Sequence, residues 1–186
     1  MALKATIFKA NLQIADIDRG YYHEHPLTLA RHPSETNERM MVRLLAFAIH
    51  ASDTLQFTKG LSSDDEPEIW QKSLSDEIEI WIDLGVPDEK RLRKACNRAK
   101  QVFLYCYGGR NAALWWEQNK NNLCRFKNLT IINLAKESTD KLATMAQKNM
   151  RLQFTLQEEE VLVSDGESSV QIAPECWQSP LPEQAR

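Results

Sequence analysis

Residues Asp64 to Arg110 read DDEPEIWQKSLSDEIEIWIDLGVPDEKRLRKACNRAKQVFLYCYGGR: an acidic turn, a strand, a strongly basic helix and a second strand. In a strand successive side chains alternate across the pleat, which sets Ile78, Ile80 and Ile82 on one face and Glu79, Trp81 and Asp83 on the other. Two carboxylates therefore share a face. Over a helix from Asp88 to Lys100, with Asp88 as N-cap, Leu92, Ala95, Cys96 and Ala99 form one apolar stripe. Lys90, Arg91, Arg93, Lys94, Arg98 and Lys100 take the remaining positions. With acids just ahead of bases, the expectation is a carboxylate site for a divalent metal beside cations that face a phosphodiester. The plain alternative for such a charge run is a solvated helix face.

Working outward, Gln101 to Tyr107 (QVFLYCY) is a near-continuous apolar run, as expected of a strand covered on both faces. Strand, helix and strand within about thirty residues predict a parallel crossover. Gly108-Gly109 then breaks the strand, and Arg110 to Gln118 is expected to be helical. Ligands of open sheets sit at the carboxyl ends of strands, which places Asp83, Gly85, Gly108, Gly109 and Arg110 on one rim. Neither GxGxxG nor a Walker sequence accompanies the glycine pair.

Leu3–Ile14 and Tyr21–Leu29 predict a hairpin across the turn Asp16–Gly20. His23 and His25 share a face there but lack a third ligand nearby, so they read as surface polar residues. A helix is expected over Ser34–His50, capped by Ser34, with Met41, Leu44, Leu45 and Ala48 inward and Glu38 at the edge of that face. Glu35, Arg39 and Arg43 recur every four residues and read as an exposed ion-pair ladder. Thr54–Thr58 predicts a short strand. In the loop Lys59–Pro67 and just beyond it, Asp64, Asp65, Glu66 and Glu68 repel one another and need solvent, cations or a metal. Further on, Leu129–Leu134 reads as a strand and Glu137–Lys148 as a helix. Arg151–Leu156, Val161–Val163 and Val170–Ile172 read as an antiparallel meander with a turn at Asp165-Gly166, suited to join the first hairpin in a β lobe. The expected organisation is one domain over residues 1–173 and a loose tail over 174–186, where Pro, Gln and Ser dominate.

At 186 residues the chain is long enough to bury a core without crosslinks. Cys96, Cys106, Cys124 and Cys176 include no CxxC pair, which excludes a zinc ribbon or dithiol redox site and leaves buried or incidental thiols. No long apolar run and no basic-apolar-small leader is present, so the reading is a cytoplasmic protein with no membrane partner, monomeric by default. A net charge of −3 excludes binding nucleic acid by overall charge, so any such contact must use a local patch.

The strings Ala2-Leu3-Lys4-Ala5-Thr6-Ile7, Leu27-Thr28-Leu29-Ala30-Arg31-His32-Pro33-Ser34-Glu35-Thr36, Asp64-Asp65-Glu66-Pro67-Glu68, Trp81-Ile82-Asp83-Leu84-Gly85-Val86-Pro87-Asp88-Glu89 and Lys94-Ala95-Cys96 closely resemble the bacterial YaeQ proteins over essentially the whole chain. The resemblance implies a mixed α/β (α+β) fold. Its core would be PD-(D/E)XK nuclease-like, a mixed sheet flanked by helices, with an additional antiparallel β lobe built from the N-terminal hairpin and the C-terminal strands. The nuclease pattern uses carboxylates to hold magnesium, or manganese, and a lysine to stabilise developing charge. By type and order it implies Glu38, Asp65 and Asp83 as metal ligands, with Glu79 as an alternative on the strand face. The departure is the lysine: Gly85 and Trp81 occupy the positions two after Asp83 and Glu79. Lys90, Arg91 or Lys94 of the next helix are the candidate replacements, with Arg110, Arg93 and Arg98 as candidate phosphate contacts. Three functions follow: a magnesium-dependent phosphodiesterase or nuclease, a non-catalytic nucleic-acid-binding or transcription-linked regulatory protein with a degenerate site, and a protein-interaction module.

Overall fold

The structure is a computed structural model that describes residues 4–59 and 65–180; Asp64 of the acidic loop lies outside them. In chain order the first half runs β1 (Thr6–Asp16), β2 (Tyr21–Arg31), α1 (Asn37–Ile49), β3 (Leu55–Phe57), β4 (Ile69–Lys72), β5 (Ile78–Leu84) and α2 (Glu89–Arg98). The second half runs β6 (Ala99–Cys106), α3 (Arg110–Leu123), β7 (Leu129–Asn133), α4 (Lys136–Thr144), β8 (Asn149–Gln157), β9 (Glu160–Ser164), β10 (Ser169–Ile172) and β11 (Glu175–Gln178). This is a mixed α+β fold with two mixed sheets and, among the described residues, four helices. The chain divides into two compact units, Met1–Ala51 with Ala135–Pro174 and Ser52–Leu134 with Glu175–Arg186. The first of these units holds α1, with Glu38, together with the β lobe.

In the first unit the strand order is β10-β9-β8-β1-β2. Alternation along β1 buries Phe8, Ala10, Leu12 and Ile14, and along β8 Met150, Leu152, Phe154 and Leu156, giving one dry face. The expected meander joins the first hairpin as anticipated, but β8 lies parallel to β1, not antiparallel. A tight turn forces antiparallel pairing only between consecutive strands, and β1 and β8 are separated by most of the chain. The two-residue turn from β8 to β9 uses Glu158 and Glu159, both at positive φ (52° and 64°), a backbone usually filled by Asn-Gly and hence hard to read here.

Helix α1 starts three residues later than expected. Its cap is Thr36, whose hydroxyl accepts the Arg39 N–H at 3.1 Å, while Ser34 turns back to His32 (Oγ to Nδ1, 2.6 Å). It is buried on nearly every side from Met40 to Ala48, and it packs on α4 and β1. Consequently Glu35 and Arg43 are not an exposed ladder: Glu35 is 6% and Arg43 5% exposed, and their side chains bond at 2.8 Å. At the other end of α1, burial and the nearby Arg19 guanidinium push the His50 pKa from 6.5 down to about 3. Between those values the unfolded chain binds a proton that the folded chain refuses, so this unit gains stability as pH rises through the window and loses it as pH falls. We expect His50→Gln to flatten the pH dependence of urea stability between about pH 5 and 6.5; identical slopes for variant and wild type would show an ordinary histidine.

In the second unit the order is β11-β7-β6-β5-β4-β3. The hairpins β3–β4 and β4–β5 are antiparallel, β5, β6 and β7 are parallel, and β11 closes antiparallel on β7. Strand β4 was not read from the sequence, because its four residues (IWQK) are too short for periodicity to declare itself. The expected loose tail is corrected over Glu175–Gln178, which forms β11 and stacks Trp177 on Trp116 at 5.7 Å. Helix α2 ends at Arg98, two residues early, because Ala99 already pairs with Ile78 as strand. Helix α3 runs on to Leu123, and α4 stops at Thr144, four residues short of expectation. On the sheet face under α2 and α3, Trp81, Val102, Leu104, Cys106, Leu129 and Ile131 meet Leu92, Ala95, Ala112 and Leu123 in one cluster. All four cysteines are free thiols, and burial raises Cys96 and Cys106 to about 12, so neither is a thiolate nucleophile near neutrality.

Candidate functional site

The crossover β5–α2–β6 behaves locally as its residues dictate. Asp83 is the sixth residue of β5 and pairs with Leu104, so it lies between two strands on the helix-covered face. Gly85, at φ 90°, turns the chain off the sheet, a backbone that side-chain-bearing residues rarely adopt. Asp88 then caps α2 by accepting the Arg91 N–H at 2.8 Å. This cap fixes Arg91 in the first turn, on the flank beside the buried Leu92 and Ala95.

From that position Arg91 grips Asp83 at two points, Nε to Oδ2 at 3.0 Å and Nη2 to Oδ1 at 2.8 Å. The Trp81 indole N–H adds a third bond, to Oδ2 at 3.0 Å. Asp83 is 2% exposed, so both oxygens are committed inside the protein. The fourth bond of the cluster runs from Arg91 Nη2 to the carbonyl of Glu66 at 3.0 Å.

The other candidates are placed as follows. Lys94 bonds the Asp65 carboxylate, and Arg98 donates to the Asp65 carbonyl at 2.6 Å. The Lys94 ammonium holds the Asp65 carboxyl below its usual range. The expected alternation fails at Glu79: a bulge pairs Gln71 with Ile80 but Lys72 with Ile78, Ile78 joins Trp81 in the core under α2, and Glu79 accepts from Gln71 at 3.1 Å, away from the Arg91 fork. Glu38 belongs to the other unit, where Thr139 Oγ1 donates to it at 2.7 Å. Arg93 pairs with Glu89 at 2.7 Å, and Arg125 reaches the same oxygen. Lys90 and Arg110 are exposed and make no ion pair among the described residues; Arg110 opens α3, whose N-cap Gly109 supplies no side-chain bond. His23 stacks on Tyr21 at 4.4 Å, and His25 bonds the Tyr21 hydroxyl at 2.7 Å, a side-chain stack with no metal-ligand geometry.

Glu68, one of the clustered acids but outside the implied ligand set, is enclosed. It is 4% exposed, its N–H bonds Ile82 O at 3.0 Å and its carbonyl accepts from Thr58 at 3.1 Å. Its signal was the run Pro67-Glu68-Ile69-Trp70, an acid between a proline and an apolar pair at the mouth of the unread strand β4.

Magnesium requires several carboxylate or water oxygens in near-octahedral array. Among the described residues no group of three or more His, Cys, Asp or Glu is arranged to hold a metal. At Asp83 the donor set argues against one directly, since a cation there would sit against the guanidinium that occupies both oxygens. As placed, these residues do not fit the ion. No helix among the described residues is long and apolar enough to cross a membrane.

Comparison with known proteins adds the following. A family model described as YaeQ protein matches residues 1–174. The YaeQ proteins of Escherichia coli (strain K12) and Salmonella typhi, both described as uncharacterized, are each 46% identical over 180 residues, 97% of this chain and 99% of theirs. The crystal structure of YaeQ from Xanthomonas axonopodis pv. citri is 47% identical, with a TM-score of 0.91 over 95% of this chain and 99% of that one. That of YaeQ from Pseudomonas syringae is 34% identical, with a TM-score of 0.90 over 94% and 97%.

Proposed function

The chain belongs to the YaeQ family, and on that premise we propose that it binds nucleic-acid backbone, without cutting it, through a PD-(D/E)XK-like frame. The observation that carries this reading is the Arg91 fork on Asp83. The residue in the position of the third motif acid spends both oxygens on a structural ion pair, while Lys90, Arg93 and Arg98 of α2 are exposed. Within the ten residues of α2 five cations stand against one acid, a local patch in a chain of net charge −3. The order α1, β3–β4–β5, α2, β6 supports the nuclease-like frame, since it is the order the pattern requires. Gly85, where that pattern requires lysine, supports the loss of cutting.

Backbone binding releases counterions, so affinity must fall steeply with salt. We expect the full chain to bind fluorescein-labelled single- or double-stranded DNA or RNA in anisotropy titrations. The combined variant Arg93→Ala, Arg98→Ala and Arg110→Ala should weaken binding at least tenfold and flatten the slope of log affinity against log salt by about one for each lost phosphate contact. Unchanged affinity and slope would sink the reading.

Magnesium-dependent phosphodiester hydrolysis is the second reading. It is favoured by the burial of two acids, Glu68 and Asp83, at the mouth of β4 and the end of β5. It requires Arg91 to leave Asp83 before a metal can enter. Saturable magnesium or manganese binding abolished by Asp83→Ala, with cleavage of a mixed DNA and RNA panel, would establish it over the first.

A further inference from the structure

We propose that the segment Asp65-Glu66 acts as an internal substitute for phosphate, occupying one flank of α2 until nucleic acid displaces it. This rests on the backbone-binding reading and adds its regulation. Arg91, Lys94 and Arg98 are spaced i, i+3 and i+7, so they line one side of the helix over about 10 Å. Each takes an oxygen from the same dipeptide. Arg91 donates to the Glu66 carbonyl at 3.0 Å, Lys94 bonds the Asp65 carboxylate, and Arg98 donates to the Asp65 carbonyl at 2.6 Å. Anionic and carbonyl oxygens presented in a row to Lys and Arg are the chemistry of a phosphodiester strand.

The three contacts differ in how firmly they are held. Arg91 is committed to Asp83 and keeps its place whatever binds. The Lys94–Asp65 pair is open to solvent, with side chains 40% and 76% exposed, so salt screens it and a polyanion bringing several charges displaces it. Arg98 lies exposed with its guanidinium over the Trp81 ring at 5.4 Å, so its hold on the Asp65 carbonyl is open to solvent. The acidic segment is therefore fastened at its Glu66 end and releasable at its Asp65 end. When nucleic acid takes Lys94, the anion expelled is partly the protein's own carboxylate and not a dissolved counterion.

Salt dependence makes this measurable. Asp65→Ala should bind a labelled thirty-nucleotide oligothymidine about three- to tenfold more tightly than wild type, and its log affinity should fall with log salt more steeply by about one. Removing any acid strengthens polyanion binding a little through the general field, so the gain must be tested with Lys94→Ala. In that background Asp65→Ala should give almost no further gain. Circular dichroism spectra matching wild type would show that the exposed substitutions leave the fold intact. Equal affinity and slope for wild type and Asp65→Ala, including no binding by either, overturns the proposal. So does a gain that persists undiminished beside Lys94→Ala. Failure of the backbone-binding reading shows separately, as indifference to Arg93→Ala and Arg110→Ala, neither of which touches this flank.

Discussion

Arg91→Ala should destabilise the second unit by about 3–5 kcal/mol, the loss expected when one partner of a buried ion pair is removed and the other charge is stranded. Asp83 is the stranded group: it is 2% exposed, and of its three N–H donors only the Trp81 indole would remain. The reverse change is milder. Asp83→Ala leaves a guanidinium whose side chain is 24% exposed and which still bonds the Glu66 carbonyl, so water replaces part of what is lost. Asp83→Leu with Arg91→Met removes both charges together and should recover much of the stability, because a well-packed apolar pair escapes the desolvation cost. Urea unfolding followed by tryptophan fluorescence isolates this unit, since all five tryptophans, Trp70, Trp81, Trp115, Trp116 and Trp177, belong to it. A loss below about 1 kcal/mol for Arg91→Ala would class the fork with surface pairs. The structural use of Asp83, and with it the proposed absence of cutting, would then lose its basis.

Glu35→Ala should cost the first unit a comparable amount, about 3–5 kcal/mol. Here the two readings of one residue differ several-fold. As a member of an exposed i,i+4 ladder, Glu35 would contribute about 0.3–0.5 kcal/mol. In the structure it holds Arg43 at 2.8 Å and Arg39 at 3.2 Å with its own side chain 2% exposed, and Arg43 is nearly as enclosed. Removing the carboxylate takes a buried charged partner from two guanidiniums at once. Far-UV circular dichroism in urea, or hydrogen exchange of the α1 amides, reads the result. A change of only a few tenths of a kcal/mol would place the trio back on the surface.

These two ion pairs show where the sequence was legible. The strand β5, the cap Asp88, the apolar stripe of α2 and the buried β6 were all read, because each rests on a period of two or 3.6 or on a cap, which a few neighbouring residues display. The rim at Gly85 and Gly108 was also read, and both take positive φ. Four residues are fewer than a period needs, so β4 does not show in the sequence, nor does the burial of Glu68, which the ladder to β5 explains. Strand β11 was missed because a polar, proline-flanked segment carries no pattern of its own. It is ordered by pairing with β7 and by the stack of Trp177 on Trp116.

Helix α1 failed in the opposite direction. Its pattern pointed to one buried stripe, but almost every side is covered, so charges at the correct spacing for a surface ladder are enclosed. Lys94 lies opposite the apolar stripe of α2, and Asp65, distant in sequence, meets it there.

Legible in the residues alone are the family, most of the elements, the cationic face of α2 and the cap that fixes its start. Those follow from covalent order and local geometry, where a residue's neighbours in the chain are its neighbours in space. Only the tertiary structure decided which cation meets which acid: Arg91 on Asp83, Lys94 on Asp65, Arg43 on Glu35. Such pairings depend on where helices and loops come to rest on the sheets.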